Sequence, residues 1–140
     1  MTIYTPNSLM VDLYRGKLDI TTGSFRAILL NATYEFVATH SKRSDIASFE
    51  IAAGNGYTTG GVAATFSDAV DAQTGFHTLT AAAVNLGTGP ITARWVAYVR
   101  WRGGAASADE LIILKDSGRA ITFDGAFAVP AMALEHRPAR

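Results

Sequence analysis

Four groups of residues are candidates for chemistry, and their spacing decides what each can do. His40, His77 and His136 lie far apart and share no metal-ligand spacing. Structural zinc sites set their ligands at short, fixed intervals, so no metal site is expected. Cysteine is absent, which removes disulfides, thiolate ligands and thiol nucleophiles from this chain. The stretch Gly54-Asn55-Gly56-Tyr57-Thr58-Thr59-Gly60-Gly61 carries four glycines. A dinucleotide fingerprint needs G-x-G-x-x-G between a strand and a helix, and a phosphate loop needs Gly-Lys-Ser/Thr. Here the third glycine comes late, a strand-like run follows, and no lysine is near. The segment reads as a turn whose glycines permit positive φ and close backbone approach. No cofactor is expected.

The carboxylates Asp68, Asp71, Asp109, Glu110, Asp116 and Asp124 mostly fall where turns are expected, and Asp suits turns by bonding nearby backbone groups. A pair for glycoside hydrolysis needs two of them to converge, and nothing in the spacing selects a pair. Neither G-x-S-x-G nor H-E-x-x-H occurs, so no enzyme is read. Trp95, Tyr98 and Trp101, with Arg94, Arg100 and Arg102, have the composition of a stacking platform for sugar or single-stranded nucleic acid. Core packing of the aromatics is the simpler reading. Tyr, Trp and Arg are also enriched at protein interfaces. A protein partner is therefore the functional use assigned to this strand. Its second face, Val96, Tyr98 and Arg100, is the expected contact of a homodimer, the commonest closed assembly.

The elements that must position these residues are mostly strands. Leu9, Met10, Leu13, Tyr14 and Leu18 recur at helical spacing and predict one short helix over about Ser8 to Tyr14. Phe25 to Leu30 is a compact apolar run. Ala32 to Arg43 is a long loop carrying Tyr34, Phe36 and His40. Ile46 to Ile51, Val62 to Val70 and Phe76 to Leu86 read as strands, and Gly87-Thr88-Gly89-Pro90 as a turn. From Arg94 to Trp101 the tryptophans alternate with Val96 and Tyr98, predicting a strand buried on both faces. Leu111 to Leu114 is a buried strand. Asp124-Gly125 between Ile121-Phe123 and Ala126-Val129 is a hairpin signal. Met132 to Leu134 is a last strand. About eight short strands with turn signals between them predict an all-β jelly roll or β-sandwich with one short N-terminal helix, forming a single domain over residues 1–140. Trp95, Val99, Leu29, Ile113 and Phe123 are expected in one core between two sheets.

Charge narrows the partners. Twelve basic and twelve acidic residues cancel, which disfavours a nucleic-acid binder, because phosphate binding needs a positive field. Charged residues are only 17% of the chain, fewer than the roughly 25% of an average domain, and so sparse a surface suggests cover by a partner. No run approaches 18 apolar residues, so no membrane span is expected. The first residues, Met1 to Asn7, lack the basic and apolar regions of a signal peptide.

The order of motifs resembles a known family. Phe25-Arg26-Ala27-Ile28-Leu29-Leu30, Ser44-Asp45-Ile46 with Glu50-Ile51, Gly56-Tyr57-Thr58-Thr59-Gly60-Gly61-Val62, Thr92-Ala93-Arg94 and Asp116-Ser117-Gly118 follow one another. They are similar to the F-K-V-x-L-L, D-I…E-I and G-Y-T-x-G-G-V segments of small virion proteins of tailed bacteriophages, over roughly residues 9–135. Leu86 stands near the place where that family often carries tryptophan. Length and expected fold look nearest to its capsid cement (decoration) proteins. The resemblance implies a non-enzymatic virion subunit on the outer capsid surface, assembled in the bacterial cytoplasm, with the major capsid protein and a second copy as partners. A tail-fibre or receptor-binding module is the alternative. Tyr4, Pro6, Arg137 and Arg140, in terminal arms interrupted by proline, are the expected capsid contacts.

Overall fold

The computed structural model describes residues 2–136. Ten strands and one α-helix form an all-β sandwich: β1 (Thr2–Tyr4), α1 (Ser8–Tyr14), β2 (Phe25–Leu30), β3 (Val62–Ala64), β4 (Phe66–Val70), β5 (His77–Ala81), β6 (Val84–Asn85), β7 (Ile91–Arg100), β8 (Leu111–Phe123), β9 (Ala128–Val129) and β10 (Met132–His136). Five strands in the order β1-β8-β7-β2-β3 make the main sheet. The facing layer is a three-stranded sheet, β10-β5-β4, beside a two-stranded ribbon, β6-β9. Every pairing is antiparallel.

The main sheet is buried on both faces, because β2 and β7 carry apolar residues at odd and even positions alike. One face, with Phe25, Ala27, Leu29, Val96, Tyr98 and Ile113, packs on the second layer. The other, with Ile28, Leu30, Trp95, Ala97, Val99 and Leu114, is covered by Tyr34 and Ile46 from the segment that follows β2. Phe36 and Phe49 of the same segment pack at its margin. The expected single core is therefore two clusters separated by a sheet. Leu29 and Ile113 belong to one, Trp95 and Val99 to the other. Phe123 belongs to neither; it is 41% exposed at the end of β8. Leu86 is fully buried in the inter-sheet cluster.

Other expected elements take different forms, among them Phe76 to Leu86, which breaks into β5 and β6 in different sheets. Ile46 to Ile51 is not a strand: Ala47–Phe49 is a 3-10 turn, and only Glu50 bridges Leu30. The run Val62 to Val70 breaks at Thr65, β3 joining β2 in the main sheet and β4 joining β5 in the other. The Asp124-Gly125 turn makes no hairpin, since β9 pairs with β6 rather than folding back on β8. The end of β8 is already paired with β7, and the two-residue β9 finds its partner in β6.

A buried clamp fixes the glycine segment. The Tyr57 hydroxyl donates to Glu50 Oε1 at 2.7 Å and accepts the Leu29 N–H at 3.1 Å. The Gly60 N–H donates to the same Glu50 oxygen at 2.7 Å. Burial, with the Glu50 carboxylate beside it, pushes the Tyr57 hydroxyl far above the usual phenol range. Gly61, at φ +77°, lies so close to β2 that a Cβ there would sit 1.9 Å from the Ala27 carbonyl oxygen. Glycine is required by both the angle and the approach.

Two stability tests follow from this packing. Trp95→Ala should cost about 3–5 kcal/mol by denaturant unfolding followed by circular dichroism, and Phe123→Ala less than half as much. Tyr57→Phe removes the only side-chain acceptor for the buried Leu29 N–H and should cost about 1–3 kcal/mol in the same assay.

Candidate functional site

The expected contact residues are mostly occupied within the chain. Val96 and Tyr98 are 5% and 0% exposed. Phe66 of the facing sheet packs edge-on against Tyr98 at 5.6 Å. Neither side chain presents a surface to a second copy, which corrects the expected dimer face: the layer predicted to be a partner is the chain's own second sheet. Burial also pushes the Tyr98 hydroxyl up to about 12. Arg100 donates to the Ser24 and Trp101 carbonyls, both at 3.0 Å, and lies over Phe25. The N-terminal residues are not a free arm. Thr2–Tyr4 pairs with β8, Tyr4 stacks on Phe36 with centroids 4.7 Å apart, and Pro6 is buried. An edge position on β8 satisfies the backbone that a free arm would leave to solvent. Arg137 and Arg140 lie outside the described residues.

The charged groups are likewise engaged. Asp109 is fully buried and accepts the Arg43 Nε–H at 2.6 Å and the Arg102 N–H at 2.9 Å. Arg102 forks onto Glu110, with contacts of 2.9 and 3.0 Å. Arg26 and Arg43 lie over the Trp101 ring at 4.1 and 4.5 Å, leaving no open stacking platform there. Arg94 grips Asp116 with two bonds of 2.8 and 2.9 Å. That guanidinium, helped by the Gly118 N–H, holds the Asp116 carboxyl below the usual aspartate range. Among the described residues no three His, Asp or Glu side chains converge as a metal ion needs.

An open apolar surface is built by the helix. Leu9 and Leu13 face inward from α1, while Met10, Val11 and Tyr14 face out at 43%, 42% and 83% exposure. Residues three and four apart share a helix face, so Met10 and Tyr14 form a second apolar stripe beside Leu9 and Leu13. Gly16, at φ +70°, turns the chain back so that Leu18 is buried and Ile20 packs against the core. Between this turn, the helix and the three-stranded sheet runs a groove of about 600 Å³. Leu9, Leu13, Leu18 and Ile20 form one wall, Leu79 of β5 and Leu134 of β10 the other. Asp68 and His77, joined at 3.0 Å, mark its polar side. Val70, paired with His77 on the edge strand, is 65% exposed. Apolar surface rimmed by polar groups is the usual form of a protein-docking face. The double stripe on Ser8–Tyr14 was visible in the sequence as more apolar positions than one buried face needs. The sheet wall was not, because Leu79 and Leu134 come together only through the β5–β10 pairing.

No family model, curated protein or solved structure matches this chain.

Acid should test the Arg94–Asp116 pair. The folded Asp116 value lies below the ordinary 3.8. Its stabilisation is therefore complete above that value and is lost as pH falls through the lowered folded one. Asp116→Asn should remove this part of the decline in stability between neutral pH and about pH 3, measured by denaturant titration at each pH.

Proposed function

We propose that the protein is a non-enzymatic structural subunit of a phage virion, a cement or decoration protein that binds the outside of the capsid and strengthens contacts between capsomers. The observation that carries this reading is the open apolar face of α1 and its groove, on a molecule whose buried Asp109, Glu110 and Asp116 are held in internal ion pairs. The motif order from Phe25 to Gly118 supports the same class. A cement subunit needs a stiff scaffold and a contact face rather than an active site. The sandwich supplies the first and Met10, Val11, Tyr14 and the groove supply the second. The major capsid protein is the proposed partner of that face. Repeated copies on one shell let each contact be modest. A homodimer remains part of the proposal, formed through surface outside the buried Val96 and Tyr98.

The small recess bounded by Tyr4, Tyr34, Phe36, Trp95 and the Arg94–Asp116 pair favours the second reading, a tail-fibre or receptor-binding module. The partly exposed rings of Tyr4 and Phe36 beside a fixed ion pair would suit a saccharide. Copy number separates the two: a cement protein should approach the stoichiometry of the major capsid protein on gels of purified virions, whereas a fibre module should be far rarer.

The contact face has its own test. The double variant Met10→Asp, Tyr14→Asp alters exposed positions and should leave the melting temperature nearly unchanged. It should weaken sedimentation with undecorated capsids at least about tenfold, the loss of roughly 1.4 kcal/mol. Unchanged co-sedimentation would move the contact elsewhere on the sandwich.

A further inference from the structure

One end of the main sheet, where β2 begins and β7 ends, carries more positive charge than it neutralises. Arg26 and Arg43 lie over the Trp101 ring at 4.1 and 4.5 Å. Asp109 takes the Arg43 Nε–H and the Arg102 backbone N–H. Glu110 takes the Arg102 guanidinium, with Lys42 Nζ at 3.8 Å from the same carboxylate. Arg102 also donates to the Lys17 carbonyl at 2.9 Å, and Arg100 to the Trp101 carbonyl at 3.0 Å. These contacts join six cations, Lys17, Arg26, Lys42, Arg43, Arg100 and Arg102, into one cluster. Three carboxylates stand among them, and two, Asp109 and Glu110, are buried at 0% and 4% exposure. The third, Asp45, accepts the Ser41 and Lys42 N–H groups. Arg15 and Asp19, which flank Lys17, cancel one another. Six cations against three carboxylates leave an excess of three positive charges at this end.

The cluster keeps donors for a ligand. Among the described residues Lys17, Arg26 and Arg100 have no carboxylate partner, the Arg100 contacts being carbonyls. Arg26 bonds no acceptor among these residues; the indole alone holds its guanidinium, and the residue is half-buried. The ring is backed by Gly60, where a Cβ would come 3.0 Å from it. A planar fork laid on a fixed ring has less freedom to lose when it bonds an anion. Beside it the loop Gly103-Gly104-Ala105-Ala106-Ser107-Ala108 bears no side chain larger than serine. The Arg102 N–H bond to Asp109 closes that loop, so a second surface can come close to the cations.

We propose that this end of the sheet docks a carboxylate-rich segment of a partner protein, whose Asp and Glu side chains meet the uncompensated charges of Lys17, Arg26 and Arg100. Guanidinium matches carboxylate in a two-bond fork, and Arg and Trp are the residues that protein interfaces favour. A long polyanion fits less well. The whole chain is neutral, so the remainder carries three excess negative charges, which repel phosphates running past the patch. A short acidic segment touches the patch alone. None of the six cations lines the α1 groove, and the inference stands without the virion reading.

The test uses the full chain, isotope-labelled, with octaglutamate as probe and an oligothymidylate of the same length as its phosphate counterpart. In about 50 mM salt, octaglutamate should shift the amide signals of Arg26, Trp101 and Arg102 saturably, with a Kd below about 1 mM. In about 300 mM salt that Kd should rise at least about fivefold, because salt at that level shortens the reach of exposed charges to below about 10 Å. The oligothymidylate should bind more weakly than octaglutamate. Lys17→Gln with Arg26→Gln removes two of the uncompensated charges and should weaken octaglutamate at least about fivefold, with the circular dichroism spectrum unchanged. No saturable shift at these residues would overturn the proposal, as would a Kd indifferent to salt. Equal or tighter binding of the oligothymidylate would overturn it too, by making phosphate the ligand. The two titrations need no variant, so they decide the matter even if the double variant folds poorly.

Discussion

The carboxylate of Glu50 holds together the parts of the chain that have no strand to bind them. It takes a proton donor from the Tyr57 ring and another from the Gly60 backbone, while the same ring oxygen takes the Leu29 N–H of β2. Through this one oxygen pair the glycine turn is fastened to the main sheet and to the end of the segment that crosses its outer face. The Gly61 backbone then passes within contact of Ala27, and β3 enters the sheet in register with β2. Replacing any member leaves a buried donor or acceptor unmatched, which costs more than the bond itself contributes. Two of the motifs quoted from the sequence, the Glu50-Ile51 segment and the Gly56-Tyr57-Thr58-Thr59-Gly60-Gly61 turn, are the two halves of this clamp.

What was legible in the chain is what short-range pattern can express. The helix over Ser8–Tyr14 and the strand over Phe25–Leu30 follow from periodicity and from the residues that bound them, and both occur as expected. The alternation of Trp95, Ala97 and Val99 against Val96 and Tyr98 correctly announced a strand buried on both sides. It could not say what buries each side. A sequence pattern records that a face is apolar, not whether the cover comes from the same chain, so the second sheet was mistaken for a partner. The same limit explains the Asp124-Gly125 turn and the strand misread at Ile46 to Ile51. In each, local propensity was sound, and the outcome depended on competition among distant edges.

The site was harder to read because its two walls are remote in sequence. The helix side was present as surplus apolar residues. The sheet side required knowing that Leu134 lies beside Leu79. Lys115 illustrates the reverse case. In the string Leu-Ile-Ile-Leu-Lys-Asp it looks like the polar end of a strand, and only the pairing with Ile3 and Val96 turns it inward. The acidic residues expected at turns proved to include the buried Asp109 and Glu110, fixed by arginines that adjoin Trp101 or lie across from it in the chain.

The cover that Tyr34 and Ile46 lay over the outer face of the main sheet has an optical consequence. Both tryptophans of the chain, Trp95 and Trp101, pack with the cluster beneath that cover, and the inter-sheet cluster contains none. Indole emission is therefore a private signal of the outer layer, rigid while the crossing segment stays down and quenched by water once it lifts. The space between the sheets is spectrally silent to indole and speaks only through the phenols of Tyr57 and Tyr98. The pair of indoles thus reports on the outer layer by itself, without a label.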